Sequence, residues 1–282
     1  MKMHRNGMGS PSDLESCAPL SKRPRVVSIS SGKGGVGKTS FTLNLGLALT
    51  RLGQRVQLLD GNLGLGNIDV HLGLTANSSI KDFFNQRKRF REIVLEDPHG
   101  ISIIPAGSGF PELTNLDASQ RISLLNEIDS IAEKFNFMLI DVGPGISSNV
   151  LYFNMVAQES IIVVTPEPTS IANAIALIKT LLTKHVKNYF MVLVNLVANE
   201  NEARELFKIL LVTIDRYLIN VSIDYLGFVP LDSKLAVALK NQTPVLEAYP
   251  DSPSSKSFVE IAKTLLGRPV QKKDAGLLHL FE

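Results

Sequence analysis

The sequence predicts an α/β fold, a doubly wound and mostly parallel sheet of about seven to eight strands flanked by helices. Short apolar segments of strand length alternate along the chain with segments of helical periodicity. Most strand segments are almost continuously hydrophobic, which is typical of strands that helices cover on both faces. A glycine-rich motif at residues 32–39 stands between the first strand and the first helix, where such sheets bind phosphate groups.

The composition is that of an ordinary globular protein. The chain has 282 residues, of which 44% are hydrophobic and 20% are charged, enough for one large domain. A net charge of +2 predicts no general attraction to nucleic acid. Cys17 is the only cysteine, which excludes an intramolecular disulfide and suits a reducing compartment. The sequence contains no membrane-spanning run and no signal peptide, so a cytoplasmic location is expected.

The predicted elements occupy a central domain between two short ends. Residues 1–24 lack periodicity and are predicted to be a disordered tail, and residues 269–282 form a short C-terminal tail. The domain at 25–268 contains predicted strands at 25–30, 56–60, 101–105, 137–141, 160–165, 189–195 and 223–229. Helical patterns cover 41–52, 117–134 and 169–184.

One of these helices carries a start signal. Asp117 is the predicted N-cap of the helix at 117–134, and Gln120 stands three residues later, as in a capping box. The predicted apolar stripe of this helix consists of Ile122, Leu125, Ile128 and Ile131.

The motif at residues 32–39 matches the phosphate loop G-x-x-x-x-G-K-[ST]. Its glycines let backbone N–H groups turn toward phosphate oxygens. Lys38 is expected to reach the β- and γ-phosphates, and the Thr39 hydroxyl to bind Mg²⁺. The predicted phosphate-binding set is Gly32, Lys33, Gly34, Gly35, Val36, Gly37, Lys38, Thr39 and Ser40.

Polar residues end three other predicted strands, at the edge where the phosphate loop lies. Asp60 and Asp141 are candidate Mg²⁺ ligands together with Thr39, and each could instead be a polar strand-end cap. Gly143 and Gly145 would let the following loop approach a γ-phosphate and respond to its presence. The Asn195 carboxamide can donate and accept at once, which suits adenine, although strand-end capping is an alternative.

The sequence K-G-G-x-G-K-T, with Lys33 after the first glycine, resembles the deviant phosphate loop of the MinD/ParA family of dimerising ATPases. The resemblance covers residues 25–267. It implies an ATPase that uses ATP and Mg²⁺ and forms an ATP-dependent homodimer, in which Lys33 crosses to the nucleotide of the partner. It also implies that Asn195 and the backbone around Pro230 hold adenine. The implied catalytic residues are Lys33, Lys38, Asp60 and the residue at position 62.

Two stretches resemble the flagellar-number branch of this family, the FlhG or FleN proteins. Residues 63–73 are similar to their first switch, with Asn67 and Asp69 as switch residues, although MinD is close here. Residues 244–255 are similar to their P-V-x-x-x-Y-P-x-S-x-x-S segment. The resemblance implies a regulator of flagellar number or placement whose partners are flagellar proteins such as the GTPase FlhF, a transcription regulator or switch components.

The sequence departs from the family at three places. Asn62 stands where the first switch normally has an aspartate that activates water, so slow hydrolysis is expected. The N-terminal tail lacks D-Q-A-x-x-L-R, so the resemblance does not extend to stimulation of FlhF. The C-terminal tail carries only a short apolar group, which predicts a weak membrane or partner segment at the inner face of the membrane; a frayed or domain-packed end is the alternative. The group is Leu277, Leu278, Leu280 and Phe281.

Other functions of the same fold remain as alternatives. A MinD-like cell-division positioner would share every motif named above. A ParA-like partition protein would need a basic DNA surface, whereas the basic residues near the C-terminal helices are scattered like those of a solvated face. These are Lys234, Lys240, Lys256, Lys263 and Arg268. A carrier of metal clusters would need several ligand cysteines, and Cys17 is alone.

Overall fold

The structure is a computed structural model that describes residues 23–107, 109–184 and 187–270. Most of the predicted N-terminal tail, including Cys17, and the apolar end of the C-terminal tail lie outside these residues. Among the described residues, no helix is both long enough and apolar enough to span a bilayer.

An eight-stranded sheet forms the centre of the protein and confirms the predicted fold class. Its strands are β1 Arg25–Ser30, β2 Val56–Gly61, β3 Leu95–Glu96, β4 Ile101–Ile104, β5 Phe137–Val142, β6 Glu159–Val164, β7 Tyr189–Val197 and β8 Ser222–Pro230. The order is β3-β4-β2-β5-β1-β6-β7-β8, and all neighbours are parallel except β3 and β4. Seven of these strands match the predicted ones; β3 was missed because two residues are too short to give a pattern.

Helices cover both faces of the sheet. They are α1 Lys38–Arg51, α2 Ile68–His71, α3 Ile80–Phe84, α4 Phe90–Ile93, α5 Ala118–Ala132, α6 Ser148–Val156, α7 Pro168–Thr183, α8 Glu200–Tyr217, α9 Ser233–Lys240, α10 Val245–Ala248 and α11 Pro253–Gly267. The helices predicted at 41–52, 117–134 and 169–184 are α1, α5 and α7. Helix α1 begins earlier than predicted because the phosphate loop leads directly into its first turn.

The predicted capping box of α5 is confirmed. Asp117 Oδ1 accepts from the Gln120 N–H at 2.8 Å, and Gln120 Oε1 accepts from the Asp117 N–H at 3.0 Å. The prediction that Ile122 belongs to the buried stripe is wrong, since 41% of its surface is exposed. Leu124 is buried instead, because it lies four and seven residues before Ile128 and Ile131 and therefore shares their helix face.

Alternate residues of each strand contribute to two separate apolar layers. In β1, Val26 belongs to the layer beneath α5, α6, α7 and α8, whereas Val27 and Ile29 belong to the layer beneath α1 and α11. In the second layer the Phe41 and Phe258 rings pack with centroids 6.0 Å apart. This two-sided burial explains the continuous hydrophobic runs of the strands.

The order of the strands brings four loops together. β1 lies between β5 and β6; the connection from β1 leads to β2 on one side of it, whereas the connection from β6 leads to β7 on the other side. In doubly wound sheets the crevice at such a reversal, beyond the carboxyl ends of the strands, is the usual ligand site. The loops after β1, β2, β5 and β7 meet there.

Candidate nucleotide site

The phosphate loop has a backbone that only glycine accommodates at several positions. Gly35 and Gly37 have φ of +76° and +88°, the left-handed region. A Cβ atom at Gly37 would lie 2.4 Å from Asn195 Nδ2, and one at Gly32 would lie 2.1 Å from the carbonyl oxygen of Asn173. The loop is therefore packed tightly against the ends of β7 and α7, with α1 beginning directly after it.

Lys38 lies inside the loop rather than in solvent. Its Nζ donates to Ser31 Oγ at 2.8 Å, and the side chain is buried. Burial lowers the pKa of Lys38, and the nearby charge of Asp141 partly opposes this effect. A buried ammonium held by one hydroxyl is well prepared to bind an anion, because a phosphate would compensate its lost hydration.

Asp60 and Asp141 lie side by side on neighbouring strands, paired in register between β2 and β5. Burial, followed by the charge of Asp141, raises the pKa of Asp60 to about 7, although three backbone N–H groups donate to it. These donors are Asn62 at 3.1 Å, Asn67 at 2.8 Å and Ile68 at 3.2 Å. Burial likewise raises the pKa of Asp141 to about 6, opposed first by the hydrogen bond from Thr39.

These groups fit a nucleotide with a divalent cation. Thr39 Oγ1 donates to Asp141 Oδ2 at 2.6 Å, so the hydroxyl and the carboxylate predicted to bind Mg²⁺ are in contact. Within the described part of the chain, Ser40 Oγ and Asp141 Oδ1 are buried without any hydrogen-bond partner. Two adjacent carboxylates and free oxygen atoms are the donor set that Mg²⁺ prefers.

The switch loops lie beside this site. Asn62 Nδ2 donates to the Leu65 carbonyl at 3.1 Å, and a Cβ atom at Gly143 would lie 2.8 Å from Asn62 Oδ1. The Gly145 N–H donates to the Ser31 carbonyl at 3.0 Å, which joins the loop after β5 to the phosphate loop. Asn62, predicted as a catalytic residue, thus lies against the predicted switch residue Gly143, and the switch residue Gly145 is bonded to the phosphate loop.

The other predicted switch residues lie farther along the loop after β2. Asn67 contacts the site through its backbone N–H, which donates to Asp60 Oδ2. Asp69 lies in α2, where its backbone carbonyl accepts from the N–H groups of Leu72 and Leu74. Within the residues that the structure describes, the Asp69 side chain has no hydrogen-bond partner.

Lys33 points away from the cradle of its own loop. Its ammonium forms an ion pair with Glu167, the N-cap residue of α7, and 32% of the lysine side chain and 60% of the glutamate side chain are exposed. Sequence reasoning missed Glu167, whose only local signal is its place before Pro168 at the start of a helix.

Asn195, near the carboxyl end of β7, is hydrogen-bonded to the backbone of the phosphate loop. Its Nδ2 donates to the Val36 carbonyl at 2.8 Å, and its Oδ1 accepts from the Leu196 N–H at 3.0 Å. Leu196 has φ of +61°, unusual for a branched residue, at a register shift between β7 and β8. Pro230 pairs with Val197 in the same irregular segment. The role of Asn195 and Pro230 in holding adenine stays a prediction.

Comparison with known proteins shows extensive similarity. A family model described as "ParA: NUBPL iron-transfer P-loop NTPase" matches residues 22–266. The antiactivator FleN of Pseudomonas aeruginosa is 38% identical over 91% of this chain and 91% of its own. The flagellum site-determining protein YlxH of Helicobacter pylori is 27% identical over 91% of this chain and 85% of its own.

A solved structure has the same fold. The MinC:MinD cell division protein complex of Aquifex aeolicus contains a chain that superposes with a TM-score of 0.71 and is 28% identical. The match covers 89% of this chain and 99% of that chain.

Proposed function

Since this chain belongs to the ParA/MinD family of P-loop NTPases, we propose that it is an ATP-dependent dimerising switch that regulates the number or placement of flagella. The similarity to an antiactivator named FleN and to a flagellum site-determining protein supports the flagellar role. The output of the switch is contact with partner proteins, namely flagellar components such as FlhF, a transcription regulator or switch proteins, in the cytoplasm or at the inner face of the membrane.

The position of Lys33 is the observation that carries the proposal. Lys38 lies buried inside the loop, where it donates to Ser31, whereas Lys33 pairs with Glu167 in a partly exposed position. A lysine that pairs with Glu167 in a partly exposed position is available to the nucleotide of a second subunit. Because both members of the ion pair are partly exposed, the pair is weak and easily exchanged.

Exposed apolar side chains next to the site support a face-to-face dimer. Leu65 and Val70 in the region after β2, Ile146 after Gly145 and Leu231 after β8 are between 51% and 72% exposed. Large exposed apolar groups in the segments that follow the carboxyl ends of these strands are typical of an interface that forms on ligand binding.

The site residues have the following proposed roles. Lys38 and the backbone of residues 32–40 bind phosphate oxygens, and Thr39, Asp60 and Asp141 hold Mg²⁺ directly or through water. The cation, when bound, neutralises charge on the phosphates. Asn62 orients the attacking water through its carboxamide and takes no proton from it, so hydrolysis is slow and the ATP-bound state is long-lived.

Size-exclusion chromatography with light scattering tests the proposal. The mass should double with ATP and Mg²⁺ and stay monomeric with ADP or without nucleotide. Lys33→Gln should bind ATP and remain monomeric, whereas Lys179→Gln, which removes an exposed charge from α7, should dimerise normally. A molar mass that is the same with and without nucleotide would contradict the switch. So would a Lys33→Gln protein that dimerises like the wild type.

A MinD-like role in cell division is the second candidate, favoured by the structural match to the MinC:MinD complex. Co-purification of flagellar proteins with the ATP-bound dimer, against co-purification of division-site proteins, separates the two roles. A DNA-binding role has less support, because Lys263 pairs with Glu260 and Arg268 pairs with Asp224.

A further inference from the structure

A strongly basic cleft lies outside the nucleotide site. It is formed by residues of α3, of α4 and of the turn between them and by one residue of α5, and its volume is about 730 Å³. Residues 87–91 place four cations within five positions, although the whole chain has a net charge of only +2. The four are Arg87, Lys88, Arg89 and Arg91, and all are exposed.

The turn that carries these cations is held in one conformation. The N–H groups of Arg87 and Lys88 both donate to the Asp82 carbonyl, at 2.8 and 3.2 Å. The rings of Phe83 and Phe90 meet edge to face with centroids 5.4 Å apart beneath the turn. A rigid base of this kind lowers the entropy cost of binding to the turn.

Most of the positive charge is unpaired. Arg89 forms an ion pair with Glu92 at 3.2 Å. Within the described residues, the side chains of Arg87, Lys88 and Arg91 have no hydrogen-bonded or ion-paired partner. Glu92 and Glu127 are the acidic residues that line the cleft, so the cations outnumber the acids there. The cleft is therefore suited to a ligand that brings its own negative charge.

The shape of the site distinguishes among anionic ligands. A DNA duplex is a poor fit, because duplex-binding proteins commonly contact about 6–10 phosphates and this turn offers three unpaired cations. A lipid bilayer is a poor fit, because no large apolar side chain among residues 80–93 is exposed enough to insert. A cleft lined by both the Phe83 ring and guanidinium groups fits carboxylates beside an apolar side chain.

We propose that this cleft is a docking site for an acidic segment of a partner protein. Carboxylates of the segment pair with Arg87, Lys88 and Arg91, and an apolar side chain of the segment contacts Phe83. No residue of the cleft belongs to the nucleotide site, so the docking does not depend on the flagellar role proposed above.

Selection from a random 12-residue peptide library on the full-length protein tests this proposal. The recovered peptides should be enriched in Asp and Glu together with aromatic or aliphatic residues. By fluorescence anisotropy, the best peptide should bind the triple variant Arg87→Gln/Lys88→Gln/Arg91→Gln roughly tenfold or more weakly than wild type. Its affinity for wild type should also fall as salt is raised.

A matched variant controls for net charge. Lys179→Gln/Lys240→Gln/Lys256→Gln removes three exposed cations elsewhere and should bind the peptide like the wild type. The triple cleft variant should keep the thermal midpoint of the wild type, because it removes like charges without burying any group. No acidic enrichment, or equal binding to both variants, would overturn the proposal.

Two further probes distinguish other ligands. A 24-base-pair duplex and vesicles of phosphatidylglycerol and phosphatidylethanolamine are tested with the same variants at 150 mM salt. If either probe binds through the cleft residues more tightly than the selected peptide, the cleft is a site for nucleic acid or lipid and the proposal is wrong.

Discussion

Asn62 lies two residues after the buried Asp60, where its carboxamide faces the glycine loop that follows β5. A carboxamide can orient a water molecule by hydrogen bonding but has no basic site for the proton. Its backbone N–H donates to Asp60 Oδ1 at 3.1 Å, and its Nδ2 donates to the Leu65 carbonyl at 3.1 Å. At the scale of single residues, the proposed function therefore makes Asn62 the position at which nucleotide binding and turnover would be separated.

We predict that Asn62→Asp accelerates single-turnover ATP hydrolysis by about 10²-fold or more, because general-base catalysis contributes roughly that much. ATP affinity should change far less than the rate. Rapid-quench measurement of phosphate release from enzyme in excess over ATP gives the comparison. Asn201→Asp, an exposed substitution on α8, should leave the rate unchanged. Equal rates for the wild type and Asn62→Asp would show that position 62 does not limit hydrolysis.

Asp60 and Asp141 are both buried, and we therefore expect a conflict between the folding stability of the protein and its ligand binding. Their pKa values of about 7 for Asp60 and about 6 for Asp141 lie above the usual 3.8, so folding favours the protonated forms. Their contribution to the free energy of unfolding is therefore fully present below about pH 4, and it is lost as the pH rises through 6 and 7. At pH 8 both are charged and repel each other in a buried site.

Asp141→Asn should therefore raise the thermal midpoint of the nucleotide-free protein at pH 8 by roughly 2–4 °C or more, since the amide keeps the acceptor for Thr39. The gain should shrink at pH 5, where the wild-type carboxyl is protonated. Mg²⁺-dependent ATP binding should be lost. Differential scanning fluorimetry and a nucleotide-binding assay measure both effects, with Asp251→Asn as the exposed control. A lower midpoint at pH 8 would contradict the repulsion argument.

At the scale of elements, the ends of β7 and α7 hold the phosphate loop in place. Asn195 at the end of β7 bonds the Val36 carbonyl, and Asn173 in α7 lies against Gly32. On the other side, Asn154 of α6 joins β1 through hydrogen bonds with Ser28 and Ser30. The conformation of the phosphate loop is thus stabilised by helices and strands that are distant from it in the sequence.

Asn195→Ala should weaken the binding of both ATP and GTP, by about tenfold for each, because the Val36 carbonyl loses its donor and the loop loses its support. If the carboxamide also recognises adenine, the loss for ATP will exceed the loss for GTP. Isothermal titration with each nucleotide measures the two factors, and Asn201→Ala is the control. An unchanged affinity for GTP would exclude the supporting role.

At the scale of the whole molecule, the ion pair between Lys33 and Glu167 bears on the proposed dimer, because both involve the same lysine. In the single chain the lysine is held by its own α7. In the proposed dimer it reaches the nucleotide of the other subunit. If the dimer forms as proposed, the ion pair competes with assembly and stabilises the monomer by an amount typical of exposed pairs.

Glu167→Gln should tighten ATP-dependent dimerisation by roughly two- to fivefold, which corresponds to an exposed pair of up to about 1 kcal/mol. Analytical ultracentrifugation over a concentration series gives the dimer dissociation constant. Glu205→Gln on α8 is the matched loss of an exposed carboxylate and should have no effect. A weaker dimer for Glu167→Gln would mean that this carboxylate contributes to the interface instead.

Local patterns were sufficient to predict the parts of the protein that depend on neighbouring residues. The phosphate loop, seven strands, the capping box of α5 and the strand-end positions of Asp60 and Asp141 follow from spacing and burial within short segments. The resemblance of the phosphate loop and the neighbouring motifs to those of ParA/MinD proteins also predicted the family to which the chain belongs. Short elements such as β3, and the exposure of Ile122, escaped prediction because the signal of a few residues is weak.

The sequence by itself determined the order of the strands and helices along the chain, the location of the phosphate loop and the strand-end positions of Asp60 and Asp141. Each of these depends on residues that are adjacent in the chain. Only the tertiary structure decided the partner of Lys33, which is 134 residues away, and the contact of Asn195 with Val36. It also assembled the basic cleft against α5. The physical reason is that contacts across the sheet depend on the spatial order of strands and the packing of helices, which no local pattern encodes.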